Sequence, residues 1–172
     1  EASVDDTANL WGVGKTTGLI HKITDPEYNN WPTAPEILDC LVHGGARGMG
    51  LENKIGVLAP GYEADLILVD LNTLAFTPLN DLRRQLVYCE NGSSVVLTMV
   101  AGKIVAENGR VLAVDEETIK EEVRELMVEY NDEITQSEAA ARKLFPYYRD
   151  MYLKASVTDV GLNRWATNNI DE

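Results

Sequence analysis

The chain has 172 residues, 45% of them hydrophobic, and a formal net charge of −13. Such an acidic surface repels phosphate backbones, so nucleic acid is not an expected partner. No apolar run reaches the roughly 18 residues that a transmembrane helix needs, so no membrane span is expected.

The first ten residues are polar and acidic, without the basic and apolar regions of a secretory signal. This predicts a cytoplasmic protein. Cys40 and Cys89 are far apart in the sequence and lack the spacing of a metal site. We expect both cysteines to be reduced, buried and inert, with a single disulfide as the alternative.

Helical spacing marks the first part of the chain. Apolar residues from about Leu10 to Ile23 predict a helix packed on one face, which ends at Thr24-Asp25-Pro26. Asp5 and Asp6 are candidate caps for its first turn, because short side-chain oxygens accept hydrogen bonds from free backbone N–H groups.

A capping box predicts the start of a second helix. Thr33 and Glu36 have the required spacing, and apolar residues then recur at helical intervals. Gly44-Gly45 is expected to stop this helix. A short helical turn at Ala46–Met49, ended by Gly50, is expected to follow.

The middle of the chain has the pattern of a β-sheet. Pro60-Gly61 predicts a type II turn, and Ala64–Val69 reads as a strand covered on both faces. Two-residue turns predict an antiparallel meander of three more strands. These strands are Val95–Val100, Lys103–Ala106 and Arg110–Ala113.

The last third is predicted to be helical, in three pieces. Asp115 caps the first piece, the second spans about Ser137–Phe145, and Pro146 separates it from the third. The third piece carries a tyrosine cluster that is expected to pack in a core or an interface. The cluster consists of Tyr147, Tyr148 and Tyr152, and Trp165 farther on is a candidate anchor on a partner chain.

Three segments carry a family resemblance. They are His43–Leu51, the Ile-Gly-x-Leu-x-Pro-Gly-x-x-Ala-Asp-Leu motif at Ile55–Leu66, and the Val-x-Gly-Lys-x-Val element at Val100–Val105. Together they resemble the C-terminal signature of the metal-dependent amidohydrolase superfamily. The similar branch contains s-triazine hydrolases and guanine, cytosine and adenosine-type deaminases. The resemblance covers roughly residues 1–115.

The resemblance implies an α/β architecture in three parts. Residues 1–52 would be the closing helices of a (β/α)8 TIM barrel, and residues 53–114 would supply strands to a small composite β-sandwich. Residues 115–172 would form a helical C-terminal extension. Asp65 of the motif is expected to bond a nearby turn, as short acids beside turns usually do.

The family chemistry implied is metal-dependent hydrolysis of C–N or C–Cl bonds on heterocycles. Its ligands would be a His-x-His pair, two further histidines and an aspartate that ends the eighth barrel strand. His21 and His43 are the only histidines here and are 22 residues apart, so neither catalytic nor metal-binding residues are expected in this chain. A zinc or iron ion is expected in the complete enzyme, with its ligands on another stretch of polypeptide.

Residues 1–11 resemble the segment just after the family's metal-binding aspartate. Glu1 and Ser3 are therefore the predicted substrate-binding residues, at the mouth of the barrel. Asp5 and Asp6 could form a weak metal pair, although helix capping is favoured. Structural roles are expected for His21 near a helix end and for His43 as a helix C-cap.

The predicted function is that of a C-terminal portion of a deaminating hydrolase. It would act on a small heterocyclic substrate only together with an N-terminal barrel half, which is a separate chain or a missing segment. A homo-oligomer is expected. The alternatives are a dechlorinating triazine-type hydrolase and a non-catalytic scaffold or oligomerisation module.

Overall fold

A computed structural model describes residues 8–158. The chain divides into two compact units, the first ending at Val114 and the second beginning at Asp115. Every helix within the described range is too short or too polar to span a bilayer.

The first helix of the first unit, α1, spans Leu10–Thr24 and confirms the predicted helix. Its cap is Asn9, not the predicted aspartates, and the Asn9 side-chain oxygen accepts from the N–H of Trp11 at 3.0 Å. Gly18 brings α1 close to its neighbours. A Cβ there would lie 2.6 Å from Tyr88 Oη and 2.9 Å from Ile37 Cδ1.

Helix α2, Ala34–Asp39, begins with the predicted capping box. The prediction that Gly44-Gly45 stops this helix is wrong. Both glycines have right-handed helical dihedrals, so the chain continues through a π-helical turn at Cys40–Gly44 into the short α3, Gly45–Gly48. The run ends at Gly50, whose φ of +68° lies in the left-handed region, as expected.

A helix that the sequence patterns did not reveal, α4, spans Leu82–Tyr88. The Asp81 carboxylate caps α4 by accepting from the N–H of Arg84 at 3.0 Å. Ile37 of α2 and Val87 of α4 are both almost fully buried and form the centre of the core. Helices α1, α2 and α4 thus enclose one small hydrophobic cluster.

Four antiparallel strands form one sheet in chain order. The strands are β1, Leu66–Val69; β2, Val95–Val100; β3, Lys103–Glu107; and β4, Arg110–Val111. The predicted meander is confirmed, although β4 ends before Ala113. Asn108 and Gly109 both have positive φ in the β3–β4 turn, as type I′ hairpins require.

Strand β1 begins at Leu66, two residues later than the predicted start at Ala64, and residues 55–65 before it form turns. Gly56 and Gly61 have φ values of +86° and +94°, which interrupt an extended backbone. At Gly61 the interruption is the predicted type II turn, in which the Tyr62 N–H donates to the Ala59 carbonyl at 3.1 Å.

Strand β1 is also not covered on both faces within the described residues. It pairs with β2 alone, and Ile67 and Leu68 are exposed. The role expected for Asp65, just before β1, is confirmed. Its carboxylate accepts from the N–H of Ala101, in the β2–β3 turn, at 2.7 Å.

In the described part of the second unit, residues 115–158, the chain forms one helix, α5, which spans the 42 residues Glu116–Val157. Asp115 caps it as predicted, and hydrogen bonding from Thr118 and Glu117 lowers the pKa of its carboxyl. The predicted break at Pro146 is wrong. Proline removes one backbone N–H from a helix, and the turns on either side of Pro146 keep their helical geometry.

Candidate functional site

The predicted substrate-binding residues, Glu1 and Ser3, lie outside the described residues, as do Asp5 and Asp6. The substrate contacts of Glu1 and Ser3 and the weak metal pair of Asp5 and Asp6 stay predictions, whereas the cap of α1 is Asn9. The segment that contains them leads directly into the N-terminus of α1. The surroundings of that N-terminus are therefore the candidate site in the described part of the chain.

The loop between α4 and β2 lies against this N-terminus. The Asn9 side chain donates from Nδ2 to the carbonyl of Asn91 at 3.0 Å, while its Oδ1 caps α1. Gly92 has a φ of +99°, and a Cβ added there would lie 3.5 Å from Cδ1 of Trp11. One asparagine side chain thus links the start of α1 to the loop.

Glu90 holds the loop from inside. It is only 3% exposed, and its Oε1 accepts from the N–H groups of Gly92 at 2.6 Å and Ser94 at 3.1 Å. Burial raises the pKa of this carboxyl, but hydrogen bonds from Ser94, Gly92 and Asn91 outweigh burial and lower it. Glu90 is therefore an ionised, buried side chain that fixes the loop at neutral pH.

The second carboxylate oxygen of Glu90, Oε2, is buried without a hydrogen-bond partner among the described residues. It can accept one hydrogen bond from a water molecule or another N–H or O–H donor. Sequence reasoning missed Glu90. The available signal was a glutamate followed by Asn-Gly-Ser-Ser between an apolar segment and a strand.

An open groove of about 1120 Å³ lies at the other end of α1, beside α4. Lys22 lies in it with Nζ 5.0 Å from the ring centre of Tyr88 and 5.7 Å from that of Trp31. Trp31 is held in turn by its Nε1, which donates to the carbonyl of Asp25 at 2.6 Å. The cation–π contacts connect the end of α1 to α4 and the intervening loop.

The two histidines do not meet. His21 is exposed in the last turn of α1, near a helix end as predicted. The expected C-cap role of His43 is wrong, because the helical run continues past it. Its Nδ1 instead lies 2.5 Å from Oδ1 of Asp39, one turn earlier.

The prediction that the cysteines are buried is also wrong, since Cys40 and Cys89 are both exposed. Cys40 falls outside the buried positions of its helical run, and Cys89 lies past the last turn of α4. Both are free thiols, so the alternative of a disulfide between them is excluded in this structure.

Residues 5–105 match the sequence profile of the Amidohydrolase family. The chain belongs to this family. The match confirms the resemblance inferred from the motifs at Ile55–Leu66 and Val100–Val105.

Curated relatives of this amidohydrolase chain are named as deaminases. The chain is 38% identical over 110 residues to a 5'-deoxyadenosine deaminase of Methanosarcina acetivorans. This match covers 64% of the chain and 25% of the relative. The chain is 45% identical over 126 residues to a 5-methylthioadenosine/S-adenosylhomocysteine deaminase of Moorella thermoacetica, with 73% and 29% covered. The chain thus spans about a quarter of the length of these relatives.

Two solved structures show the same partial match, each covering 74% of this amidohydrolase chain and 28% of the other chain. An adenosine deaminase from Xanthomonas campestris with bound zinc has a TM-score of 0.66 and 25% identity. Atrazine chlorohydrolase TrzN from Arthrobacter aurescens TC1, complexed with zinc, has a TM-score of 0.67 and 26% identity.

Residues 8–158 of this amidohydrolase chain do not fit a zinc centre of their own. Within that range, no three His, Cys, Asp or Glu side chains come together in a group that could hold a metal ion. Three or four such ligands are usual for zinc in proteins. No catalytic step is therefore assigned to the described residues. Those around Asn9 and Glu90 hold the N-terminus of α1 against the loop before β2.

Proposed function

We propose that this chain is the C-terminal portion of a metal-dependent amidohydrolase that deaminates an adenosine-type nucleoside. One observation carries the proposal. The two curated relatives, 38% and 45% identical to the chain, are both named as deaminases of adenosine derivatives. A metal ion, zinc or iron, would activate water for attack on the purine carbon that bears the amino group.

The exposed apolar surface of the first unit supports a missing barrel half. Helix α1 buries its glycine face but leaves Leu19, Ile20 and Ile23 exposed, and β1 leaves Ile67 and Leu68 exposed. An enzyme core that continued onto another stretch of polypeptide would cover these side chains. We accordingly propose the three-part division into barrel helices, sandwich strands and helical extension at residues 52 and 114.

The described residues would then position the substrate rather than react with it. The Asn9 side chain and the loop held by Glu90 fix the start of α1, into which residues 1–7 lead in the sequence. Glu1 and Ser3 on that segment would contact the heterocycle at the barrel mouth.

A dechlorinating triazine hydrolase is the second candidate. The TM-score of 0.67 to atrazine chlorohydrolase TrzN supports it. The TM-score to the adenosine deaminase, 0.66, is almost the same. Fold similarity therefore does not separate the two reactions. The higher sequence identity to the nucleoside deaminases places them first.

A hybrid enzyme tests whether this chain can complete a deaminase. The N-terminal portion of the Moorella thermoacetica deaminase is joined to this chain, in place of the segment that the chain matches. We expect release of ammonia from 5'-deoxyadenosine or 5-methylthioadenosine and no release of chloride from atrazine.

The control is the Moorella enzyme cut and rejoined at the same junction. A folded, metal-loaded hybrid that releases neither product, beside an active control, would contradict the proposal that the chain is part of a hydrolase.

A further inference from the structure

Helix α5 carries a long apolar stripe. Its members form two runs, at residues 119–134 and 144–151, with intervals of three and four residues inside each run. The ten residues between the runs keep both on one face of a straight helix, since ten residues make nearly three full turns. The stripe consists of Ile119, Val123, Leu126, Tyr130, Ile134, Leu144, Tyr148 and Met151, each between 40% and 61% exposed. It extends over about 48 Å at 1.5 Å per residue. An exposed apolar stripe of this length indicates a binding face.

The charges on α5 are divided between its two halves. Residues 116–133 carry eight carboxylates and two basic side chains, whereas residues 134–157 carry two carboxylates and four basic side chains. A second α5 laid parallel would place one acidic half on the other. An antiparallel α5 would place the acidic half on the basic half, so the helix is complementary to its own reversed copy.

We propose that the apolar stripe binds the same stripe of a second copy of this chain, with the two α5 helices antiparallel and centred on Ser137. Residues at equal distances from Ser137 then face each other, and apolar residues meet along the stripe. The facing pairs are Val123 with Met151, Leu126 with Tyr148, Tyr130 with Leu144, and Ile134 with Ala140.

The centre of this pair allows close approach, because small residues surround it. Ser137 and the three alanines at 139–141 would lie where the two helix axes are closest. The long and aromatic side chains lie toward the two ends. The small residues would therefore let the helix axes approach at the centre, and the large residues would pack against each other on either side of it.

Charged residues on one flank of the stripe support the same alignment. At 100° per residue, Glu122, Glu129, Lys143 and Lys154 all lie on the same flank. An antiparallel pair brings equal flanks together. Glu122 then lies within about two residues of the partner's Lys154, and Glu129 within about two residues of the partner's Lys143.

Sedimentation of the full chain tests the pairing. We expect the 172-residue chain to dimerise, and we expect E122K/E129K and K143E/K154E each to dimerise about tenfold more weakly. An equimolar mixture of the two variants should regain wild-type association, because each supplies the charge that the other lacks. E121K/D132K makes the same change of charge on the opposite face and should dimerise normally.

Oxidative cross-linking tests the orientation. In a C40S/C89S background, S137C should form a disulfide with its own copy, whereas L126C should not, because Leu126 faces Tyr148. Equal cross-linking of both variants would show a parallel pair and overturn the proposal.

Two further results would also overturn the proposal. One is a wild-type chain that remains monomeric at about 100 µM, a concentration at which a micromolar dimer would form. The other is a loss of binding to the N-terminal barrel half in the charge variants, because the barrel half would then be the occupant of the stripe.

Discussion

Residues 8–114 bury side chains between three helices, and their loops are held by backbone N–H groups that donate to Glu90 and Asp65 and by Gln85, which donates to a backbone carbonyl. Helix α5, in contrast, buries none of its own side chains. In the first unit, stability depends on a few groups that are each held by several partners. In α5 it depends on local helix propensity and capping, since helices without tertiary packing gain little else. Substitutions in the two units should therefore differ in size and in their dependence on pH.

The largest difference in the free energy of unfolding is expected between truncating a buried aliphatic side chain of the first unit and truncating an exposed one on α5. Ile37→Ala removes three buried carbons from the centre of the helical cluster and should lower the free energy of unfolding by about 3 kcal/mol. Val128→Ala on the exposed side of α5 is the matched control and should change it by less than about 0.5 kcal/mol. Urea unfolding followed by circular dichroism measures both. Equal losses would show that α5 packs as tightly as the first unit.

A second test concerns the close contact of α1 with α2 and α4. Gly18→Leu would push a side chain into Tyr88 and Ile37 and should cost about 2 kcal/mol. Gly12 has no neighbour within 4 Å of an added Cβ, so Gly12→Ala should instead stabilise α1 by up to about 1 kcal/mol. The two melting temperatures should move in opposite directions. A shift in the same direction would place the helices farther apart than described.

The third test uses pH. Glu90→Ala leaves two buried N–H groups without their acceptor, with an expected loss of about 2 kcal/mol at pH 7. The pKa of Glu90 is lowered in the folded chain, so its stabilisation is complete above the ordinary glutamate pKa of about 4.3. It disappears as the pH falls through the lowered value.

Urea unfolding of the wild-type chain and Glu90→Ala at pH 7 and pH 3 gives the measurement. The difference between the two proteins should shrink at pH 3. A difference that is unchanged at pH 3 would mean that the carboxylate charge does not hold the loop. Glu125→Ala on exposed α5 is the control, for which we expect little effect at either pH.

The smallest effect is expected at the start of α5. Asp115→Ala removes a helix cap and should cost about 1 kcal/mol, felt mainly in the first turns of the helix. Amide hydrogen exchange should quicken there and remain unchanged in α1, which Asn9 caps. Faster exchange throughout both units would show that they unfold together.

Local signals predicted much of the fold. The Thr33/Glu36 capping box, the Pro60-Gly61 turn and the Asn108-Gly109 hairpin all act through neighbouring residues, so the sequence displays them directly. The motif at residues 55–66 identified the family for the same reason, since its spacing is kept within one short segment.

Predictions that depended on distant contacts were less reliable. Helix α4 has only seven residues, and Gln85 and Val87 acquire their roles from Ala75 and Ile37, which the sequence does not place beside them. The low helix propensities of Pro146 and Gly44-Gly45 predict helix breaks, yet neighbouring turns keep these residues helical. In the candidate site, Glu90 was missed because its burial depends on the packing of the loop.

The π-helical turn at Cys40–Gly44 has a consequence for sequence comparison. It takes about 4.4 residues per turn rather than 3.6, so it shifts the inward face of the helix by about one position. Ala46 is thereby buried against Gly56. A Cβ added to Gly56 would lie only 3.3 Å from the Cβ of Ala46. Deleting one residue in this turn would restore a regular α-helix and leave Ala46 on the inward face, because five π-helical residues and four α-helical residues turn the backbone through nearly the same angle, about 400°. A homologous chain that is one residue shorter here can therefore keep a small side chain against the Gly56 turn, and a sequence comparison should place the gap within Cys40–Gly44.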